Sequence, residues 1–159
     1  MLAFREIVVT TDFSDRSLRA LPYATGLAEL FDARLRLVYA YEPVPRVTDV
    51  AWTGTSIEAM EKDDRDKATQ SLEKIVSEQI PENIRAEAVV LDGKPVNAII
   101  RYAEDENIDL IVMSTSGRTG LTHALMGSTA EALVRKAPCP VLTVKQPLRI
   151  GGGFVASNG

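Results

Sequence analysis

Short apolar runs rich in β-branched residues alternate with longer segments of helical periodicity along this chain of 159 residues. Three of the runs, at 7–11, 110–113 and 140–144, are apolar on both faces, which is typical of buried parallel strands. Further strands are predicted at 35–41 and 86–91. Strand–helix alternation indicates βαβ units, whose crossovers are right-handed. The sequence therefore predicts an α/β fold: a single open doubly wound five-stranded parallel sheet with helices on both faces.

Prolines mark where the predicted helices begin and end. The first helix is predicted from Ser14, but Pro22 lies inside its pattern and removes a backbone donor, which predicts a kink or a shifted start. A second helix ends before Pro81. A third begins at Pro95, which suits the first helical position, and a fourth ends before Pro138.

The apolar content supports one domain. Hydrophobic residues make up 45% of the chain, which suffices for a full core in a domain of this length. We expect the α/β domain over residues 1–146 and a flexible glycine-rich tail over 147–159. The stretch from Glu42 to Thr55, which contains Trp52, is predicted to be a mobile loop. No internal repeat and no second domain is indicated.

The charge balance and the rare residue types exclude several kinds of partner and site. With 18 basic and 22 acidic side chains the net charge is −4, which disfavours the capture of DNA or RNA. No stretch reaches the ~20 apolar residues that span a bilayer, so we expect a cytoplasmic protein with no membrane partner. The single cysteine, Cys139, excludes a disulfide framework and is expected to be packed, and the single histidine, His123, is expected in a solvated loop.

Two polar segments follow predicted strands and are the candidate ligand-binding segments. Residues 11–14 follow the first strand, and residues 114–120 follow the fourth, with 127–129 opening the next helix. Ligands of open α/β sheets bind outside the carboxyl ends of the strands. We take the strand order to be 3-2-1-4-5, which makes strands one and four neighbours. Both segments then line one crevice.

The second segment has the composition of a phosphate-binding loop. Glycines and small hydroxyl residues leave backbone N–H groups accessible to an anion, and the helix that opens at Gly127 and Ser128 carries a partial positive charge. Arg118 could add a cation. Two other interpretations stay open: Ser128 and Glu131 form a capping-box pattern that needs no ligand, and the glycines can simply turn the chain. Neither a Walker A loop nor a G-x-G-x-x-G motif is present.

Asp12, at the end of the first strand, also has two interpretations. Its carboxylate could bond a ribose hydroxyl or hold a metal ion beside phosphates. Alternatively it caps the helix that begins near Ser14, because aspartate is a favoured capping residue. No combination of serine, histidine and acidic residues in the sequence indicates a catalytic triad.

The chain resembles the universal stress protein family from about Phe4 to Lys145. Residues 7–14 resemble the family's first strand with its terminal aspartate, and residues 137–144 its closing strand. Residues 109–113, followed by the glycines of 117–120 and by 127–128, resemble its signature region. Members that bind ATP carry G-x2-G-x9-G-[ST], and this chain places Ser114, Gly117 and Gly127 at the three glycine positions.

Serine at the first motif position is small and can donate a hydrogen bond to phosphate, so we expect the site to be retained. It would be strained, and nucleotide affinity would fall, if that position required a positive φ. The resemblance implies that Asp12, beside Thr11, lies near the ribose and that the backbone around Ala40 lies near the adenine. It places the following residues around the phosphates: Ser114, Gly117, Arg118, Gly127, Ser128 and Thr129. A Mg²⁺ ion could bridge Asp12 and the phosphates.

The resemblance further implies a homodimer that pairs its last strands, here Pro140 to Val144, and an apolar edge strand benefits from such cover. The leading hypothesis is a stress-response module that binds ATP or another adenine nucleotide such as AMP and regulates rather than turns over substrate. One alternative is a dimeric interaction protein of the same fold that binds no nucleotide. A slow ATPase is the third, since the loop holds no lysine or general base for fast hydrolysis.

Overall fold

Five parallel strands form the central sheet of the computed structural model, which describes residues 3–43, 56–115 and 126–145 and the backbone of 149–150 and 153–154. The strand order is β3-β2-β1-β4-β5, with every neighbouring pair parallel. Both the doubly wound architecture and the order predicted from the sequence are confirmed. The strands are β1 (Glu6–Thr10), β2 (Arg34–Tyr41), β3 (Ala86–Asp92), β4 (Leu110–Ser114) and β5 (Val141–Val144).

Pro22 divides the first predicted helix into two. A short helix ends at Leu18, and the next begins at Leu21 with the proline in its first turn, where the missing N–H costs no helical hydrogen bond. The predicted shift of the helix start is therefore confirmed. The helices of the domain are α1 (Asp15–Leu18), α2 (Leu21–Phe31), α3 (Ile57–Gln79), α4 (Pro95–Asp105) and α5 (Ser128–Lys136).

Each face of the sheet is covered by its own apolar cluster. On one face α2 and α3 pack on alternate residues of the strands, with Ile7, Leu35 and Leu72 fully buried. On the other face α4 and α5 pack on the intervening residues, with Ile111 and Leu133 fully buried. Because successive strand side chains point to opposite faces, the continuous apolar runs are what two covered faces require.

One charged side chain lies inside the sheet's second face. Arg36 in β2 is only 5% exposed, and its guanidinium lies 3.1 Å from Glu6, 2.6 Å from Glu87 and 3.2 Å from Glu106. Burial alone lowers the pKa of Arg36, but the hydrogen bond to Glu87 and the surrounding negative charges raise it above its ordinary value. The arginine is therefore a paired, permanently charged core residue.

Several predicted segments lie wholly or partly outside the described residues. Of the predicted loop from Glu42 to Thr55, the structure describes only Glu42 and Pro43, so Trp52 lies outside the described residues. Within 147–159, the backbone of β6 (Arg149–Ile150) pairs antiparallel with that of β7 (Gly153–Phe154). Among the helices of the described part, none is both long and apolar enough to cross a membrane.

Candidate functional site

A cleft of about 430 Å³ opens at the carboxyl ends of β1, β2 and β4. This is the edge at which open α/β sheets bind ligands. The cleft is bounded by the turn after β1, the end of β2 and the first residues of α4 and α5. Its lining residues are Thr10, Thr11, Asp12, Ser17, Val38, Tyr39, Ala40, Glu42, Pro95, Ile99, Met113, Ser114, Thr115, Gly127, Ser128, Thr129 and Ala130.

The turn after β1 is fixed by side-chain hydroxyls. One carboxylate oxygen of Asp12, Oδ1, accepts from both the backbone N–H (3.0 Å) and the hydroxyl of Ser14. The buried hydroxyl of Ser17 accepts from the backbone N–H of Asp12 (3.2 Å) and lies 2.9 Å from that of Thr11. Ser14, not Asp12, caps α1, through its hydroxyl and the N–H of Ser17. Asp12 therefore has a set orientation at the cleft wall.

In the turn after β1, Phe13 adopts a backbone conformation that is unusual for a bulky residue. Its φ is +66°, in the left-handed region that non-glycine residues rarely adopt. The N–H of Phe13 donates to the hydroxyl of Thr11 at 3.0 Å, and its ring packs on Tyr39 with centroids 4.6 Å apart. Such strain is held where the surrounding structure determines it, and functional sites are common places for it.

Ser114 occupies its position without backbone strain. It is the last residue of β4, is buried, and pairs in register with Val144 of β5. It is not among the residues with positive φ. The condition under which a serine here would be strained is therefore not met.

Gly127 is favoured by a close approach rather than by its φ, which is −60°. Its N–H donates to the carbonyl of Thr115 at 2.8 Å, and a Cβ at this position would lie 3.3 Å from the same oxygen. Gly127 is the N-cap of α5 and Ser128 the first helical residue. The capping-box interpretation, which made Ser128 the cap, is therefore wrong, and glycine offers no side chain to bond the first amides of the helix.

The cleft lining combines groups of opposite electrostatic character. The N-terminus of α5 at Gly127 carries the partial positive charge of a helix start. Asp12 and Glu42 contribute carboxylates near the ends of β1 and β2. Across the described part of the chain, no cluster of three or more metal-ligating side chains occurs. The arrangement suits an elongated ligand with an anionic end and a hydrogen-bonding end.

The structure brings seven of the nine predicted site residues into this one cleft. They are Thr11, Asp12, Ala40, Ser114, Gly127, Ser128 and Thr129. Gly117 and Arg118 lie outside the described residues. The start of α4, where Pro95 and Ile99 line the cleft, is not among the predicted site residues, although a helix start directly after β3 is a signal for it.

Cys139 belongs to the core rather than to the cleft. It packs against the cluster under α4 and α5 and does not line the cleft. Burial, and to a lesser degree the charge of Asp109, raises the pKa of its thiol. The thiolate is the nucleophilic form, so this environment disfavours reactivity. His123 lies outside the described residues.

Comparison with known sequences gives the family. The model of the universal stress protein family matches residues 3–145. The chain belongs to the universal stress protein family. Among its relatives, the universal stress protein MJ0531 of Methanocaldococcus jannaschii is 36% identical over 147 residues, which are 91% of this chain and 84% of that protein.

Solved structures of the family share the fold. The structure of the hypothetical protein MJ0577 superposes with a TM-score of 0.76 at 24% identity, covering 93% of this chain and 100% of that chain. A universal stress protein solved in complex with cAMP superposes with a TM-score of 0.58 at 27% identity, covering 91% of this chain and 98% of that chain. The solved structures that superpose on this chain thus include a complex with an adenine nucleotide.

Proposed function

We propose that this universal stress protein is a regulatory module that binds ATP or another adenine nucleotide such as AMP and acts as a cytoplasmic homodimer in a stress response. The observation that carries the proposal is the cleft itself. It joins an oriented carboxylate, Asp12, the strand end at Ala40 and a helix start at Gly127 that has no side-chain cap. These are the groups that a ribose, a base and a phosphate each require.

The anionic end of the ligand belongs at the start of α5. Backbone N–H groups at a helix N-terminus bind phosphate, and Gly127 keeps this approach free of a side chain. Ser128 and Thr129 follow Gly127 in the lining of the cleft, and a hydroxyl of either residue can donate to a phosphate oxygen. Ser114, in place of the motif glycine, adds a third hydroxyl in an unstrained conformation.

The nucleoside belongs at the ends of β1 and β2. The carboxylate of Asp12 is held by Ser14 and its backbone N–H by Ser17, so the carboxylate can accept from a ribose hydroxyl without first losing rotamer freedom. The edge of an adenine offers one donor and several acceptors, which main-chain groups around Ala40 can pair. The related protein solved with cAMP supports an adenine nucleotide as the ligand class.

Mg²⁺ fits this site only together with phosphates. Magnesium is usually bound through one or two carboxylates, several waters and the oxygens of a nucleotide rather than by a cage of protein ligands. Asp12 would supply the one carboxylate near the phosphates. The metal would neutralise phosphate charge and so raise the affinity of ATP more than that of AMP.

The homodimer proposal rests on the edge of the sheet. β5 is an edge strand, with Leu142 37% exposed on one side and Val134 of α5 49% exposed on the other. Such an edge is a template for pairing with another chain. Antiparallel pairing of two β5 strands would give a two-fold interface that covers both apolar side chains.

A nitrogen–proton NMR titration with ATP tests the location of the site. We expect the amide signals of Asp12, Ala40, Gly127 and Thr129 to shift in a saturable way, while those of the exposed α2 surface around Leu30 stay in place. Shifts confined to other surfaces, or shifts that do not saturate, would contradict the proposal. Titration with AMP in parallel separates the phosphate end from the nucleoside end, because AMP should move the Asp12 and Ala40 signals and perturb Thr129 less.

A further inference from the structure

We propose that Arg65, on α3 and outside the cleft, is a positioning residue that holds the base-binding end of β2 in place. The inference rests on the proposed nucleotide function and names a determinant of the same site. Arg65 acts through Tyr41, which stands between Ala40 and Glu42, and both of these residues line the cleft.

The contacts of Arg65 join three elements. Its guanidinium bonds Asp92 in a two-pronged pair, with Nη1 2.9 Å from Oδ2 and Nη2 2.5 Å from Oδ1. It also lies over the ring of Tyr41, 5.9 Å from the ring centroid. Tyr41 and Asp92 are register partners at the ends of β2 and β3. The arginine of α3 therefore fastens the last residues of both strands, with a planar fork that lysine cannot reproduce.

The backbone beyond these two strand ends depends on the same geometry. The carbonyl of Tyr41 accepts from the N–H of Gly93 at 2.9 Å. Gly93 has a φ of +112°, which a side chain would strain, so the chain turns here directly from β3 towards α4. Pro95 at the start of α4 lines the cleft. A fixed Tyr41 therefore sets both the strand end at Ala40 and the turn that leads to the opposite wall.

The contacts of Arg65 fix the position of the strand end and add little to the stability of the fold. The side chains of Arg65 and Asp92 are 45% and 58% exposed, and exposed ion pairs contribute little to stability. Tyr41 is buried in the domain, and what the arginine adds is a fixed position for its ring at the strand end. Removing the arginine should therefore loosen the strand end locally and leave the domain folded.

Amide hydrogen exchange in the nucleotide-free protein tests the positioning directly. In Arg65→Met, we expect the Gly93 amide to exchange at least roughly threefold faster, because loss of a surface contact of this kind changes local opening by such a factor. The Thr11 amide, bonded to Val38 at 2.9 Å, is the internal reference and should not change. Lys74→Met removes a cation from the same helix that pairs only weakly with Glu78, 3.9 Å away, and should change neither amide. Unchanged exchange of Gly93 in Arg65→Met would overturn the inference.

Affinity for ligands with and without a base gives the second readout. We expect Arg65→Met and Asp92→Asn each to weaken ATP binding roughly three- to tenfold, and the double variant to be no worse than the worse single one. Inorganic tripolyphosphate, which lacks a nucleoside, should displace labelled ATP with an affinity that changes less than about twofold. Equal weakening of both ligands, or no weakening of ATP, would overturn the inference. If the wild-type chain binds no ATP, the proposed function fails, and exchange at Gly93 alone decides the role of Arg65.

Discussion

The backbone of Ser114 bears most directly on whether the nucleotide site is intact. The residue replaces a motif glycine, yet it ends a regular strand and has no positive φ. The residue itself lines the cleft. A glycine at this position would therefore relieve no strain, and it would remove one hydroxyl near the proposed phosphates.

Ser114→Gly should accordingly leave ATP affinity nearly unchanged. We expect a change of less than about threefold, because no left-handed conformation is relieved and one hydrogen bond of modest net value is lost. Calorimetric titration of the variant beside the wild type measures it. A gain of tenfold or more would mean that the natural site is degenerate and would favour the interaction protein that binds no nucleotide.

Cys139 should be a slow nucleophile. Since burial raises the pKa of its thiol, the thiolate fraction at a given pH is smaller than in a free cysteine. We expect the alkylation of Cys139 by iodoacetamide, measured by mass spectrometry, to accelerate at a higher pH than the alkylation of glutathione does. Because the thiol pKa is higher in the folded than in the unfolded state, the contribution of Cys139 to the free energy of unfolding is fully present below the ordinary thiol pKa. This contribution falls as the pH rises above that value. A pH–rate curve at or below that of glutathione would contradict this account, with Cys139→Ser as the control for other sites.

The sequence indicates which residues are candidates for the site, but not why each residue type is needed at its position. Asp12 and Gly127 were identified as site candidates because carboxylates and glycines at strand and helix ends have known uses. The need for glycine at 127 arises from the carbonyl of Thr115, which is twelve positions away in the chain. Nothing local in the sequence could predict that contact, or the left-handed φ of Phe13.

Among the elements, β2 carries the largest departure from its sequence pattern. Arg36 lies within a run that predicts an apolar strand, and its charge is buried because three carboxylates from β1, β3 and the end of α4 converge on it. Such convergence depends on register between strands that are far apart in sequence. The strand itself was predictable from β-branched and apolar residues, whereas its charged partners were not.

Arg36→Met should destabilise the domain by about 1–3 kcal/mol at neutral pH. The estimate is below that for a fully buried charge pair, because Glu87 and Glu106 are about half exposed and can be resolvated. Urea unfolding at pH 7 measures the loss. Arg34→Met is the control, since Arg34 is 47% exposed and lies 3.8 Å from Glu6. Equal losses for the two variants would contradict the account.

At the scale of the whole molecule, the prediction of the site depended on one assumption, the order of the strands in the sheet. The strand order made β1 and β4 neighbours, and that adjacency brings Asp12 and Gly127 to one cleft. Alternation of strands and helices could predict the class of fold, but the crevice followed only from the order. The start of α4 escaped the prediction because its place beside the cleft depends on packing across the sheet.

The free edge of the sheet leads to a prediction about assembly. We expect the chain to sediment at twice its monomer mass, and Leu142→Lys to shift it to the monomer by placing charge on the β5 edge. Leu30→Lys, on the exposed surface of α2, is the matched control and should stay dimeric. A wild-type monomer, or a Leu142→Lys dimer, would refute pairing through the strand from Pro140 to Val144.

Calorimetric titration with ATP, with and without Mg²⁺, tests the central claim most directly. Mass spectrometry of the purified chain first establishes whether a nucleotide co-purifies, which would itself support the claim and would have to be removed. We expect saturable binding with a Kd below about 1 mM, tightened by Mg²⁺. Gly127→Val should abolish it, because a branched side chain would press on the Thr115 carbonyl and fill the helix start, and Gly127→Ala should weaken it less. No binding by the wild-type chain at millimolar ATP, or undiminished binding by a folded Gly127→Val, would contradict the account.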